Sequence, residues 1–222
     1  MILHIPTLLG FGSKTGIELS KETSGKVNFR YETEIYNAGF GQGVMTTSIQ
    51  NVKALTSIAN DGILLKPYIV EKIEDSNGKI ILENSRTELG RVASKQTTDK
   101  IKDLMEDVVT KGTGSNYNMP EYGLIAKTGT AQISSTNGKG YLNGPYDYIR
   151  GFAGMFPKDD PQIIIYINTA KSCPETIIPA KKPPSASTPS ESPTKMGETI
   201  PSKAKMISSF CAAAVEIATV VP

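Results

Sequence analysis

Gly123-Leu124-Ile125-Ala126-Lys127-Thr128-Gly129-Thr130-Ala131-Gln132 decides how this chain is read. A short apolar run ends in a small residue, then presents a cation, a hydroxyl and a residue without a side chain. Such a run predicts an edge strand, on which alternate side chains point to opposite faces. Lys127 and Gly129 then share one face and Thr128 takes the other. A glycine inside a strand lets a ligand come close to the backbone. The cation and hydroxyl suit a carboxylate, and the Thr130 N–H suits an oxyanion.

The three letters alone decide nothing, because Lys14-Thr15-Gly16 repeats them. That copy follows Gly10-Phe11-Gly12-Ser13 and reads as a loop. The copy at Lys127 follows an apolar run and continues into Thr130-Ala131-Gln132-Ile133, so it reads as a strand. The plainer readings are a solvated edge lysine at Lys127, β-propensity at Thr128 and Thr130, and a bulge at Gly129.

Composition narrows the chemistry. The 222 residues suffice for one core with an appendage, and a net charge of +2 gives no electrostatic reason for a nucleic-acid partner. His4 is the only histidine, and Cys173 and Cys211 lie too far apart for a metal spacing. A zinc site and a histidine-based triad are thereby excluded, leaving Lys, Ser, Thr, Tyr and carboxylates to carry any chemistry. No apolar run reaches the roughly 18 residues that a membrane span needs. Met1 to Leu9 is apolar but lacks a basic flank and is interrupted at Pro6, against a signal peptide. At face value the chain is soluble, with any anchor outside it.

Residues 1–45 show no clear periodicity and are expected to be loops. Thr47 with Gln50 fits a capping box, and Ile49, Val52, Leu55, Ile58 and Ala59 form a helical stripe closed by Asn60-Asp61-Gly62. Ile63 to Leu65 and Tyr68 to Ile73 read as strands, and Asn77-Gly78 as a turn into Lys79 to Leu82. A second helix is expected over Thr98 to Lys111, then a flexible Gly112-Thr113-Gly114 link. After Lys127 come a polar loop from Ser134 to Asp147 and two strands, Tyr148 to Phe156 and Gln162 to Asn168. Short links between sequential strands favour an antiparallel meander. The expected class is therefore α/β or α+β, an antiparallel sheet flanked by helices. Half of the 14 prolines lie between Pro174 and Pro201, so residues 174–203 read as a linker or insertion, and 204–222 as a short apolar helix.

Four segments in this order resemble the penicillin-binding transpeptidases. They are Phe11 to Leu19, Gly41-Gln42-Gly43 with the helix ending at Gly62 and Lys66-Pro67, Lys127 to Gln132, and Gly151 to Pro157 with the strand Ile163 to Ile167. The resemblance covers roughly residues 8–170, and the loop from Gly140 to Ile149 looks most like division-type class B members. It implies a penicillin-binding and β-lactamase-like fold, here residues 1–173, incomplete on its N-terminal side. That family uses S-x-x-K, S-x-N and K-T-G in this chain order, and neither of the first two is identified ahead of Lys127. Ser135-Thr136-Asn137 and Ser202-Lys203-Ala204-Lys205 carry their letters, and both read as chance.

By resemblance, the intact enzyme attacks the D-Ala-D-Ala end of a peptidoglycan stem peptide with a serine and passes the acyl group to an amine. A β-lactam mimics that end. Lys127 then supplies positive potential at the terminal carboxylate, Thr128 a hydrogen bond to it, Gly129 room for approach, and the Thr130 N–H one oxyanion donor. No cofactor is implied. The implied partners are stem peptides, β-lactams and proteins of division or wall synthesis, and the implied place is the outer face of a bacterial plasma membrane. This chain alone is expected to be inactive. A β-lactamase, a β-lactam sensor and a non-catalytic wall-binding or division-protein module are the alternatives.

Overall fold

The computed structural model describes residues 4–135 and 140–170. The expected linker 174–203, the helix 204–222, both cysteines and the Ser202 motif lie outside the described residues.

The helix α3, Ser48–Ala59, begins as its sequence predicts. The Gln50 N–H donates to Thr47 Oγ1 at 3.3 Å, and Gln50 Oε1 accepts from the Thr47 N–H at 3.0 Å. Gln50 has a second task. It is almost fully buried, and its Nε2 donates to the carbonyls of Ser13 at 2.7 Å and Ser24 at 2.8 Å. One amide thus caps the helix and holds a loop. The helix stops where Asp61 and Gly62 turn to positive φ of 51° and 93°. A Cβ on Gly62 would lie 1.9 Å from the Ala93 carbonyl oxygen, so only glycine fits there.

Two small antiparallel pairs follow. β1, Ile63–Leu65, pairs with β4, Glu88–Arg91, and β2, Lys72–Glu74, pairs with β3, Ile80–Glu83. The expected strand from Tyr68 to Ile73 forms only at its end. The Ile69 N–H goes instead to the Glu18 carboxylate at 3.0 Å, and the Val70 carbonyl accepts from Asn84 Nδ2 at 2.7 Å. Side chains have taken the groups a ladder would need. The strand β4 lacks apolar alternation and was not expected.

Helix α4, Lys95–Thr110, starts earlier than the expected Thr98, because Ser94 caps it by accepting from the Thr97 N–H at 3.2 Å. Thr98, Lys102, Met105 and Val109 form its buried stripe. Its flank is tied to the turn at residues 157–162 by Lys158, whose ammonium lies 2.7 Å from both Asp103 and Glu106. The first 45 residues are not all loop either. Short helices form at α1, His4–Leu8, and α2, Glu32–Ala38. At α2, Glu34 reaches back to accept the Tyr31 N–H at 3.1 Å.

The expected meander is present. β5, Ile125–Gln132, β6, Tyr148–Phe156, and β7, Ile163–Ala170, form one antiparallel sheet in chain order. Ile125 packs with Val52, Met105, Met155 and Ile164 on the α3 side. Ala126 packs with Leu124, Val109, Phe152 and Ile165 on the other. Each Val, Leu, Ile, Met or Phe among these contributes about 1.5–3 kcal/mol on burial. The two cores clamp the first residues of β5 and leave the rest of that strand for other work.

Candidate active site

Beyond Ala126, the strand leaves the core. Lys127, Gly129 and Thr130 are exposed and Thr128 is half-buried. Alternation continues from Ile125 and Ala126, so Lys127 and Gly129 lie on the α3 face and Thr128 on the opposite face, as the sequence predicts. Pairing with β6 runs without a shift from Ile125 opposite Met155 to Gln132 opposite Tyr148, so Gly129 is not a bulge. A Cβ on Gly129 would meet nothing within 4 Å, so packing gives no reason for glycine there.

The backbone of β5 has two sides, and among the described residues only one is paired with a strand. The Ile133 N–H donates to the Asp147 carbonyl at 3.1 Å, toward β6. In an antiparallel ladder, successive residues alternate between facing the partner and facing away. The backbone groups of Thr128, Thr130 and Gln132 therefore face the outer edge, where no strand pairs with β5 among the described residues. The Lys127 ammonium curls over that edge to the Thr128 carbonyl. The result is a cation, an outward-facing Thr130 N–H and an open strand edge within four consecutive residues.

Thr128 brings in a residue the sequence did not single out. Its hydroxyl lies 2.8 Å from that of Thr113. The Gly112-Thr113-Gly114 link, expected to be flexible, is fastened to the end of α4. The Gly114 N–H donates to the Val108 carbonyl at 2.9 Å, and a Cβ on Gly112 or Gly114 would press on Val108 at 3.0 or 3.1 Å.

Two grooves adjoin the outer part of the strand. One, about 520 Å³, runs past Gly129, Thr130 and Gly151, with Phe11, Phe40 and Tyr166 among its walls. Burial raises the Tyr166 phenol above its ordinary range, so it is a neutral hydrogen-bonding group there. The other, about 680 Å³, lies past Gln132 and Ser134 and includes Lys26, Arg30 and Tyr141. Gly41 lines both grooves, which places the Gly41-Gln42-Gly43 turn beside the strand. Tyr148 lies under the Arg150 guanidinium at 5.6 Å, and Tyr146 is exposed.

No serine lines the groove beside Thr130 among the described residues. Ser76-Asn77-Gly78-Lys79, ahead of Lys127, also has the letters S-x-x-K, as does Ser192-Pro193-Thr194-Lys195 outside the described residues. The first is the β2–β3 turn, in which the N–H groups of Asn77 and Lys79 donate to Asp75 Oδ1 at 2.8 and 2.9 Å. A turn of this kind is no nucleophile helix. Lys14-Thr15-Gly16 is equally remote from ligand chemistry, for Thr15 is buried and bonded to Glu22.

The sequence profile of the penicillin binding protein transpeptidase domain matches residues 7–177. The chain is 38% identical over 163 residues to stage V sporulation protein D of Bacillus subtilis, covering 71% of this chain and 24% of that protein. It is 32% identical over 147 residues to a peptidoglycan D,D-transpeptidase FtsI homolog of Mesostigma viride, covering 61% and 24%. Penicillin binding protein 3 of Mycobacterium tuberculosis, solved in complex with ampicillin, superposes with a TM-score of 0.70 at 28% identity, covering 76% of this chain and 39% of that one. The chain thus spans about a quarter of the length of these curated relatives. It belongs to the penicillin-binding protein transpeptidase family.

Proposed function

We propose that this family member serves peptidoglycan cross-linking, as the strand side of a serine D,D-transpeptidase cleft at the outer face of a bacterial plasma membrane. The observation that carries the reading is the outer edge of β5, with its open backbone, its glycine in empty space and the Lys127 ammonium lying across it. A stem peptide is laid along that edge as an added strand. Its terminal carboxylate meets Lys127 and the Thr128 hydroxyl, and the Thr130 N–H donates to the oxyanion formed at the carbonyl under attack.

The attacking serine is not supplied by these residues. The groove beside Thr130 is the space it would reach into, carried by the S-x-x-K segment of an intact enzyme. Its oxygen bonds to the carbonyl carbon, the terminal D-Ala leaves with a proton, and an amine of a neighbouring stem later displaces the serine. A β-lactam enters the same reaction, but its leaving group stays attached. Stem peptides and β-lactams are thus the ligands of the strand, with division or wall-synthesis proteins as partners of the whole.

Fluorescent penicillin applied to membranes of the source cell, followed by capture with an antibody against this chain, tests the reading. The expected result is a labelled band much heavier than 23.9 kDa. An unlabelled band near that mass would overturn it in favour of a binding module without a nucleophile. Measurable turnover of a chromogenic cephalosporin by the labelled species would point instead to a β-lactamase.

A further inference from the structure

The contact between Thr113 and Thr128 has a chemical direction that the proposed substrate imposes. The two hydroxyl oxygens lie 2.8 Å apart, and either can donate. Each hydroxyl owns one proton. A carboxylate only accepts, so when Thr128 binds one it must spend its proton on the ligand. The proton between the two threonines must then come from Thr113. We infer that Thr113 is a positioning residue for carboxylate recognition, donating to the Thr128 hydroxyl and so aiming that hydroxyl's proton at the substrate's terminal carboxylate. This rests on the proposed role of the Lys127–Thr130 strand.

The setting of Thr113 favours this over a merely structural bond. Its side chain is exposed, as is most of the outer strand, and β5 is already held by an eight-residue ladder to β6. A hydroxyl pair at such a position adds little to the fold. Its geometry is nonetheless fixed on both sides. On one side the ladder fixes Thr128. On the other, the Gly114 N–H is bonded to the Val108 carbonyl, and Val108 leaves no room for a side chain at position 112 or 114, so the loop lies close against the end of α4. An oriented donor chain also polarises its second hydroxyl, which strengthens the bond that hydroxyl gives to an anion.

The test uses the full 222-residue chain, with amide shifts of residues 127–130 followed by NMR during titration. The probes are D-alanyl-D-alanine and its C-terminal amide, which has the same shape without the charge. Thr113→Val removes the hydroxyl at nearly constant volume, and Thr113→Ser keeps it. The expected result is an affinity for the acid roughly three- to tenfold weaker in Thr113→Val, with the amide unaffected and Thr113→Ser close to the parent. Adding Thr113→Val to Thr128→Val should cost nothing further, because the two act as one unit. Unchanged affinity in Thr113→Val, or equal loss for acid and amide, would overturn the inference while leaving the strand's role intact. A parent chain that shows no preference for the acid would overturn both.

Discussion

The molecule holds the same tripeptide twice, and the two copies have opposite fates. In Lys14-Thr15-Gly16 every donor that matters is already used. The Thr15 N–H and hydroxyl both reach Glu22 Oε1 at 2.6 Å, and the Gly16 N–H reaches Glu22 Oε2 at 3.2 Å. Gly16 sits at φ +81°, where a side chain is strained. In Lys127-Thr128-Gly129 the glycine has an extended backbone and empty space around it, and among the described residues the outward backbone groups have no strand beside them. The first copy is a closed turn around a carboxylate of its own chain. The second presents similar donors to a carboxylate that must come from elsewhere. The chemical preference is shared, and the neighbouring residues decide whether it is satisfied internally.

The largest expected difference comes from removing the internal carboxylate. Glu22→Ala leaves three donors around the buried Thr15 without their acceptor, at a cost of about 2–3 kcal/mol. Urea denaturation should show the loss in the midpoint. Binding of D-alanyl-D-alanine at residues 127–130 should be unaffected. Loss of binding would mean the two copies are coupled and the contrast is false.

A smaller separation should follow from the glycines. Gly16→Ala forces a Cβ into left-handed backbone and costs about 1–2 kcal/mol. Gly129→Ala should shift stability by less than about 0.5 kcal/mol, yet weaken the peptide, because its methyl stands where the ligand lies. Equal stability losses would make Gly129 a structural glycine.

Acid should loosen the first copy alone. Burial disfavours the charge of Glu22, but hydrogen bonds from the Thr15 hydroxyl, the Thr15 N–H and the Gly16 N–H outweigh it and hold the carboxyl below its ordinary value. A depressed acid stabilises the fold at pH above its unfolded value, and the contribution is lost as pH falls through the folded value. Protection of the Thr15 and Gly16 amides should therefore drop below the usual carboxylate range, while that of Ile125 and Lys127 holds. The smallest stability effect belongs to Lys127→Ala, within about 0.5 kcal/mol. In a β-lactam-reactive parent protein that substitution should slow acylation severalfold or more. Proportionate losses in both would mark the lysine as structural.

Most of the sheet was legible in the sequence because its signals are local. Apolar runs, short links and the Thr47–Gln50 box each act within a few residues, and tertiary packing confirmed them. Some departures are local, such as the Ser94 cap that starts α4 early, and others come from side chains that bond far along the chain. Glu18 takes the Ile69 N–H and so dissolves half of an expected strand, across 51 positions of separation. Gly112-Thr113-Gly114 has the composition of a flexible link, and its letters do not show that the Gly114 N–H is bonded to the Val108 carbonyl. Of the candidate site, the placement of Lys127 to Thr130 on a strand was legible, from the apolar run before them rather than from the Lys-Thr-Gly letters. Their partner Thr113, 15 residues before Thr128, was not, since a Gly-Thr-Gly link carries no strand or helix signal of its own.

The most direct test maps where a peptide carboxylate binds when both tripeptides compete in one molecule. Amide shifts of the 222-residue chain, followed on addition of D-alanyl-D-alanine, report both copies in one spectrum. Saturable shifts at Lys127, Thr128, Gly129 and Thr130, with Thr15 and Gly16 unmoved, are the predicted result. Shifts at Thr15 and Gly16, or none at Lys127 to Thr130, would contradict the assignment of β5 as the substrate strand.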